Sequence, residues 1–275
     1  MLVNPYVILK DAKDNNYGVG SFNVLNIELA KAVIEAAENL NQDVMLQITD
    51  SALSWIGLDY FLPGLIEVAK KSKIKIAIHY DHVYDIEHFQ KNVIQGFTSG
   101  MYDGSKLAFD ENVNNSLIAR NLTTSKNIFL ELEIGVIGGK EDSKISQEDL
   151  ANEEQIIKFY ELTKPDALAA AFGTAHGVYK NEVKINFDLI KNLNQKLDTF
   201  LVLHGSSGLS EQLIKKSIAS GISKVNVGTD LLIVYNKAIK EYFRNYPNEY
   251  DIRKINQYAI DLVKEEVTKY LMWFK

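Results

Sequence analysis

The chain has 275 residues, of which 46% are hydrophobic and 24% charged, with a formal net charge of −6 and no cysteine. This length suits one large α/β domain, and the composition is that of an ordinary globular protein. The acidic balance argues against nucleic acid or an anionic membrane surface as the main partner. Without cysteine there are no disulfides or thiolate ligands, so any zinc ion must be bound by His, Asp or Glu.

Eight strand-like apolar segments alternate with eight helical segments, and no linker divides them. The predicted strands are residues 18–23, 43–48, 74–78, 97–102, 128–133, 167–171, 200–203 and 222–227. The helices that follow are residues 28–40, 60–71, 86–95, 111–123, 153–162, 187–193, 210–220 and 229–243. A short helix at 5–15 opens the chain, and one or two helices at 252–274 close it. Strict alternation of short, buried strands with helices predicts an α/β fold, a (β/α)8 TIM barrel that spans residues 1–275 as a single domain.

A doubly wound open sheet is the alternative architecture. It would carry a glycine-rich dinucleotide turn directly after the first strand, whereas Gly18 and Gly20 lie before or inside that strand. The segment 135–152 is a long polar loop, of a length that is usually functional or disordered in a compact domain. Residues 1–16 lack the apolar core of a signal peptide, and no apolar run is long enough to span a bilayer. We therefore expect a cytoplasmic protein that does not bind membranes.

Polar residues collect at or just past the ends of the predicted strands, which form the catalytic rim of a TIM barrel. They are Asn23, Gln47, Asp81, His82, Ser105, Glu133, His176, His204 and Asn226. Any one histidine alone would be interpreted as structural. Because His82, His176 and His204 follow three different strands beside Gly or Asp, they together predict a shared metal with three protein ligands and an open position. Glu133 is a fourth or alternate ligand, or a partner of one.

The remaining histidines and the second strand-five carboxylate have other predicted settings. His79 precedes the end of strand three and is expected to be buried and hydrogen-bonded. His88 lies within a helix and is expected at the surface. Glu131 should face the same side of its strand as Glu133, but at greater depth, in a structural role.

Two turns with small residues open the seventh and eighth helices, at 205–208 (Gly-Ser-Ser-Gly) and 226–229 (Asn-Val-Gly-Thr). Backbone N–H groups are free at helix starts, and the loops after strands seven and eight are the usual phosphate site of this barrel. We therefore predict a phosphate there. The alternative is ordinary capping by Ser207 and Thr229. Glu141 in the long loop is a candidate general base, and Lys180 and Arg253 are candidate cations for phosphate.

A series of short motifs follows in order along nearly the whole chain. They are Gly20-Ser-Phe-Asn-Val24, His79-Tyr-Asp-His82, Gly96-Phe-Thr-Ser99, Asp103-Gly-Ser105, Glu131-Leu-Glu-Ile-Gly135, Asp166-Ala-Leu-Ala169, Gly173-Thr-Ala-His-Gly177, His204-Gly-Ser-Ser-Gly208 and Lys224-Val-Asn-Val-Gly-Thr-Asp230. With these motifs the chain resembles the class II, zinc-dependent fructose-bisphosphate aldolases, of the branch that includes tagatose-bisphosphate aldolases.

The resemblance implies reversible retro-aldol cleavage of fructose 1,6-bisphosphate to dihydroxyacetone phosphate and glyceraldehyde 3-phosphate. It implies a zinc ion on His82, His176 and His204, with Glu133 at an alternate metal position. The residues implied in proton transfer and catalysis are Asp81 at the C4 hydroxyl, Glu141 for the C3 proton, and Asn226 beside the reaction intermediate.

The resemblance also implies the binding residues and an assembly. The substrate- and phosphate-binding set is Asn23, Gln47, Gly177, Lys180, Gly205, Ser207, Asn226, Gly228, Thr229 and Arg253. Gly177 and Gly205 lie where family members bind a monovalent cation, Na⁺ or K⁺. Arg253 resembles the arginine that reaches the second phosphate, often across a dimer, so a homodimer or homotetramer is expected.

Several positions depart from the family pattern and keep alternatives open. Gly228 replaces an Asp or Asn of the fructose-bisphosphate enzymes, and a small residue there is typical of the tagatose type. Tagatose 1,6-bisphosphate, or a related ketose phosphate, is therefore the alternative substrate. Ser206 replaces a usual Gly, and Gly100 and Tyr102 interrupt the usual Val-Met-Ile of strand four.

Three other activities compete with this interpretation. A Schiff-base aldolase is disfavoured because strand six has no lysine. A metal-dependent hydrolase would use the same ligands with zinc hydroxide. A sugar-phosphate sensor without catalysis is disfavoured by the unbroken set of Asp81, Glu141 and metal ligands.

Overall fold

The computed structural model of the protein describes residues 1–135, 137, 151–179 and 182–275. Eight parallel strands close into a barrel in which neighbours in the chain are neighbours in the sheet and the last strand pairs with the first. The strands are β1 (Val19–Asn23), β2 (Val44–Thr49), β3 (Ile76–Val83), β4 (Ser99–Tyr102), β5 (Phe129–Ile134), β6 (Ala167–Ala170), β7 (Phe200–Leu203) and β8 (Ile222–Val227). The predicted (β/α)8 TIM barrel is confirmed.

Helices surround this barrel in the described part of the chain. They are α1 (Pro5–Asn15), α2 (Ile27–Leu40), α3 (Asp50–Ile56), α4 (Leu58–Lys71), α5 (Ile86–Val93), α6 (Phe109–Lys126), α7 (Glu153–Thr163), α8 (Phe187–Lys196), α9 (Glu211–Ser220), α10 (Thr229–Asn245) and α11 (Ile252–Trp273). The opening helix and the C-terminal helical extension are present as predicted. The predicted loop at 135–152, with Glu141, lies almost entirely outside the described residues.

Asparagine sets the limits of several helices. At N-termini the side chain accepts a backbone N–H, as Asn26 does from Leu29 in α2. At C-termini asparagine adopts the left-handed conformation that ends a helix, with φ of 56° at Asn16 and 50° at Asn41. These short-range preferences explain why the helix positions could be predicted from the sequence to within a few residues.

The buried apolar residues form two layers. The larger layer lies between the strands and the surrounding helices. The smaller one fills the lower barrel interior, where α1 contributes Ile8, Leu9 and Ala12 against strand residues such as Met45 and Val202. The base is therefore filled with apolar side chains, and polar chemistry is confined to the opposite end.

The structure differs from the predicted elements in two places that matter for the site. Strand three was expected to end at Ile78, but β3 continues to Val83. The residues after Ile78 are mostly polar, so no apolar pattern marks the extension in the sequence. Their pairing with β2 nevertheless persists through Tyr80 and Asp81. His82 then takes a left-handed φ of 48°, within a register shift against β4. Helix α3 was not predicted at all.

Within the described residues no single helix is both long and apolar enough to cross a bilayer. The pair α3 and α4 meets that length and composition only when the two helices are counted together across their 107° bend.

Candidate metal centre and active-site cavity

A cavity of about 750 Å³ opens at the C-terminal ends of the strands, and every strand or the loop after it contributes to its lining. All but one of the predicted rim residues line it; the exception, His204, is buried beneath the surface at 1% exposure. The rim predicted from the sequence is therefore one continuous site.

Three imidazoles meet at the floor of this cavity. The Nε2 atom of His82 lies 3.0 Å from Nδ1 of His204, and the His176 ring centroid lies 4.8 Å from that of His82 and 5.6 Å from that of His204. One nitrogen from each ring falls within 4.8 Å of the others. Nε2 of His176 is buried and has no hydrogen-bond partner among the described residues. Converging imidazole nitrogens with such an unsatisfied atom fit a divalent metal ion.

Two carboxylates fix the orientation of these rings. Nδ1 of His82 is 3.0 Å from Oδ2 of Asp103, and the other Asp103 oxygen accepts from the Ser105 hydroxyl at 2.6 Å. Nε2 of His204 is 2.8 Å from Oε1 of Glu131. A carboxylate behind a ligating histidine fixes the tautomer and increases the basicity of the ring. Each of these two histidines therefore presents one nitrogen to the cluster and the other to an acid.

A buried lysine completes the support beneath His204. Lys224 of β8 has no exposed surface, and its Nζ donates to Oε2 of Glu131 at 2.7 Å. The same ammonium is 3.4 Å from Nε2 of His79, whose Nδ1 is 2.9 Å from the Ser99 hydroxyl. His79 is fully buried and hydrogen-bonded, as predicted. Burial, and next Lys224, hold its pKa well below the usual value, so the ring is neutral.

The three clustered imidazoles have different protonation states. Burial alone would lower the pKa of His82, but Asp81, then Asp103 and Glu133, raise it to about 10. Burial, together with the charge on His82, lowers the pKa of His176 to about 3. The same causes hold the pKa of His204 well below its usual value. In the metal-free protein a proton thus occupies the cluster at His82.

Three further side chains of the cavity have buried oxygen atoms that make no hydrogen bond to a described residue. They are Asp81 Oδ1, Glu133 Oε2 and Asn226 Oδ1. Burial raises the pKa of Asp81, and it raises that of Glu133 well above the usual value. Glu133 lies on the Nδ1 side of His82, at 4.0 Å, and so adjoins the three-imidazole cluster from outside. Buried acceptors in this state require a ligand, a proton or water.

The two turns after β7 and β8 form one wall of the cavity. Gly205 has a φ of 64°, and a Cβ there would lie 2.4 Å from the Ala175 carbonyl oxygen. The Ser207 hydroxyl accepts from the backbone N–H groups of Gly228 at 3.3 Å and Asp230 at 3.2 Å. Ser207 thus caps α10 from the neighbouring turn, while the helix start has no side-chain cap of its own. Ser207 is therefore a cap of α10 and not of α9, which Ser210 caps, while Thr229 lines the cavity.

Beside this wall, three side chains on β1 and β2 are linked by hydrogen bonds. The Ser21 hydroxyl donates to Gln47, whose Nε2 donates to Oδ1 of Asn23 at 2.8 Å. A Cβ at Gly228 would lie 2.4 Å from that Asn23 oxygen. The absence of a side chain at position 228 therefore allows Asn23 to take its present position.

Comparison with known proteins identifies the family. The family described as class-II fructose-bisphosphate aldolase matches residues 3–275. This chain belongs to the class II fructose-bisphosphate aldolase family. It is 38% identical to the fructose-bisphosphate aldolase of Mycoplasma genitalium over 96% of this chain and 92% of that protein. It is 34% identical to the sulfofructosephosphate aldolase of Alkalicoccus urumqiensis over 94% and 93%.

A solved structure agrees with this assignment. The crystal structure of the YdjI aldolase from Escherichia coli K12 superposes with a TM-score of 0.89 at 28% identity, covering 100% of this chain and 97% of that one. This aldolase is therefore a lyase that acts on small sugar phosphates, and its family implies a divalent metal ion, for which the imidazole cluster is suited.

Some predicted residues are not brought to the cavity of this aldolase. Arg253, the second residue of α11, has its side chain 87% exposed, is paired with Asp251 at 2.8 Å, and does not line the cavity. Glu141 and Lys180 lie outside the described residues. His88 is 59% exposed, as expected for a surface position.

Other residues of the site were assigned no role from the sequence. Asp103 and Lys224 stand in the motifs quoted above but received no role there. In the structure Asp103 orients His82, and Lys224 supports Glu131. The position of Asp103, directly after β4 and before Gly104, is the clearest sequence signal that could have added it to the predicted rim. Glu131 is as deep as predicted, but it contacts a candidate metal ligand.

Proposed function

We propose that this aldolase cleaves fructose 1,6-bisphosphate to dihydroxyacetone phosphate and glyceraldehyde 3-phosphate, with zinc bound by His82, His176 and His204. The observation that carries the proposal is the convergence of three imidazoles within 4.8 Å beside a buried carboxylate. The fructose-bisphosphate aldolase of Mycoplasma genitalium, 38% identical, supports the choice of substrate.

A divalent ion held by the three imidazoles would supply a Lewis acid at the ketone oxygen of the sugar. Asp81 is the base in our proposal. Its Oδ1 accepts no hydrogen bond from a described residue, and burial raises its pKa, so it is a better proton acceptor than an exposed aspartate. Asp81 takes the proton of the C4 hydroxyl, the C3–C4 bond breaks, and glyceraldehyde 3-phosphate leaves with a new carbonyl group.

The electron pair of the broken bond remains on the other half of the sugar, which must gain a proton at C3. We assign this proton transfer to Glu141. Asn226 lies 3.3 Å from the His204 ring through Nδ2, and its Oδ1 has no described partner. In our proposal this amide, which offers both a donor and an acceptor, lies beside the reacting carbons. Glu133 serves as the alternate metal ligand.

We assign the phosphate next to the ketone to the wall formed by the turns after β7 and β8. Gly205, Ser207, Gly228 and Thr229 line it, and small residues let a phosphate approach the backbone. Asn23, Gln47 and Gly177 line the same cavity. We further propose a monovalent cation near Gly177 and Gly205, and Lys180 as an additional cation for phosphate.

Arg253 would reach a second phosphate only from another subunit, because in this chain it forms an exposed ion pair and does not line the cavity. We therefore propose a homodimer or homotetramer. We also propose that the protein is cytoplasmic. Size-exclusion chromatography with light scattering gives the number of subunits. A monomer with full activity would contradict the role of Arg253.

Gly228 favours a second candidate within the same chemistry. A fructose-type Asp at this position would overlap Asn23, since even a Cβ would lie 2.4 Å from its oxygen. Tagatose 1,6-bisphosphate, or a related ketose phosphate as in the 34% identical sulfofructosephosphate aldolase, is therefore the alternative.

The purified enzyme should be tested with fructose 1,6-bisphosphate and tagatose 1,6-bisphosphate separately, with triose phosphates as the product measured. Chelators should abolish cleavage, and zinc or cobalt should restore it. Borohydride with substrate should not inactivate the enzyme, because Lys224 is paired and buried. Borohydride inactivation, or release of inorganic phosphate instead of triose phosphate, would contradict the proposal.

A further inference from the structure

The three clustered imidazoles are held in different ways. His82 and His204 each have a carboxylate behind the ring, that of Asp103 at 3.0 Å and that of Glu131 at 2.8 Å. No described carboxylate is hydrogen-bonded to the ring of His176, and its buried Nε2 has no such partner of any kind. A ring without a side chain to orient it takes its position from the backbone that carries it. The position of this imidazole therefore depends on what holds its loop.

His176 lies in a segment without regular secondary structure. Strand β6 ends at Ala170 and helix α8 begins at Phe187, and the described residues between them form neither element. This segment is in close contact with the turn after β7. A Cβ at Gly205 would lie 2.4 Å from the carbonyl oxygen of Ala175 and 3.0 Å from its nitrogen. The backbones that carry two of the imidazoles therefore touch each other directly.

One tyrosine hydroxyl joins these two backbones. The hydroxyl of Tyr179 accepts the backbone N–H of Ala175 at 2.8 Å and donates to the backbone carbonyl of Gly205 at 2.6 Å. Ala175 immediately precedes His176, and Gly205 immediately follows His204. A hydroxyl can accept and donate at the same time, so one group makes both bonds. The spacing between the two imidazole-bearing backbones thus involves a third side chain.

The ring of Tyr179 has a further neighbour in the same turn. A Cβ at Gly208 would lie 3.5 Å from Cδ2 of this ring, which is an ordinary packing distance. This contact does not depend on the hydroxyl. Phenylalanine at position 179 would therefore keep the packing and lose only the two hydrogen bonds, so the hydroxyl can be tested by itself.

We propose that Tyr179 is a positioning residue, which fixes the backbones of His176 and His204 relative to each other and so prepares the imidazole cluster for a metal ion. The inference rests on the metal site of the proposed function. A site binds its ion more tightly when the groups around the ligands hold them in place beforehand. Loss of the hydroxyl leaves the N–H of Ala175 and the carbonyl of Gly205 without this partner, and the two backbones can then move apart.

The test is the variant Tyr179→Phe. Its Kd for zinc, measured by competition with a fluorescent chelator, should rise about 10- to 100-fold, the loss typical of groups that orient metal ligands. Cobalt in place of zinc gives a second measurement that does not depend on activity. The d–d absorption of cobalt reports the geometry of its ligands, so the spectrum of the variant should differ from that of the wild type.

Tyr160→Phe is the matched control. The hydroxyl of Tyr160 also donates to a backbone carbonyl, that of Asp198 at 3.1 Å, which precedes β7 at the opposite end of the barrel. This variant should keep the wild-type Kd for zinc and the wild-type cobalt spectrum. Thermal unfolding of both metal-free variants measures what the loss of a tyrosine hydroxyl costs in general stability.

An unchanged Kd and an unchanged cobalt spectrum in Tyr179→Phe would overturn the role of Tyr179 while leaving the metal site intact. An equal rise of the Kd in both variants would overturn it as well, because the cause would then be a general loss of stability. Failure of the wild-type protein to bind zinc would instead refute the metal site of the proposed function, and the role of Tyr179 with it.

Discussion

The floor and the mouth of the cavity are built in different ways. At the floor, His204, Glu131 and Lys224 are buried, and each contacts the next within 2.8 Å. At the mouth, Trp55 is 78% exposed and Tyr84 is 54% exposed. A change at the floor disturbs a coupled, desolvated network, whereas a change at the mouth alters few neighbours. The buried floor should therefore tolerate less variation than the exposed mouth.

The largest expected effect is at the floor. Asp81→Asn removes the proposed base while keeping the shape of the side chain, so kcat should fall by roughly 10²- to 10⁴-fold. The metal content, measured by elemental analysis, should stay the same because Asp81 is not one of the candidate metal ligands. A parallel loss of metal would show that Asp81 acts on the metal site and not on the substrate.

Glu131→Gln tests whether the floor works as one network. The variant weakens the support of His204, and metal affinity should fall by about 10- to 100-fold. It also leaves the Lys224 ammonium buried without its carboxylate, which should lower the free energy of unfolding by about 3–5 kcal/mol. Competition with a fluorescent zinc chelator measures the affinity, and urea denaturation measures the stability.

The double variant Glu131→Gln/Lys224→Met separates these two effects. It removes the unpaired charge, so much of the lost stability should return while the metal affinity stays low. Recovery of both quantities together would mean that Glu131 orients nothing and serves only as the partner of Lys224.

Metal binding should depend on pH through His82. Its pKa of about 10 in the metal-free protein means that this ring is protonated below that pH, and a bound metal must displace the proton. The apparent Kd should therefore rise about tenfold for each unit by which pH falls between about pH 9 and 7. Calorimetry in buffers of different ionisation enthalpy should detect about one proton released per metal bound. A Kd that does not change with pH would contradict the charged His82.

The smallest expected effect is at the side wall. In Gly228→Ala the new methyl group meets Asn23, which must shift, so KM should rise by up to about tenfold, or ~1.4 kcal/mol. Gly64→Ala is the matched control, since a Cβ there has no neighbour within 4 Å and lies in helix α4. The control should keep the wild-type KM. Equal kinetics of the two variants would show that Asn23 does not need its present position.

The sequence by itself determined the alternation of strands and helices, and with it the polar rim. Strand β7 at Phe200–Leu203 and strand β8 at Ile222–Val227 have the predicted limits, since turn residues bound both segments. Short-range patterns report burial and periodicity, which are sufficient for this level of structure. They were also sufficient to select three histidines and Asp81 as candidates.

Only the tertiary structure decided which candidates meet and what holds them. His82 and His204 are 122 positions apart, and Glu131 and Lys224 are 93 apart. Their contacts exist because the barrel closes and brings β8 beside β1, which no local pattern encodes. The continuation of β3 through Tyr80–Asp81 was hidden for the same reason: the hydrogen bonds that keep these polar residues in a strand come from the neighbouring strand β2.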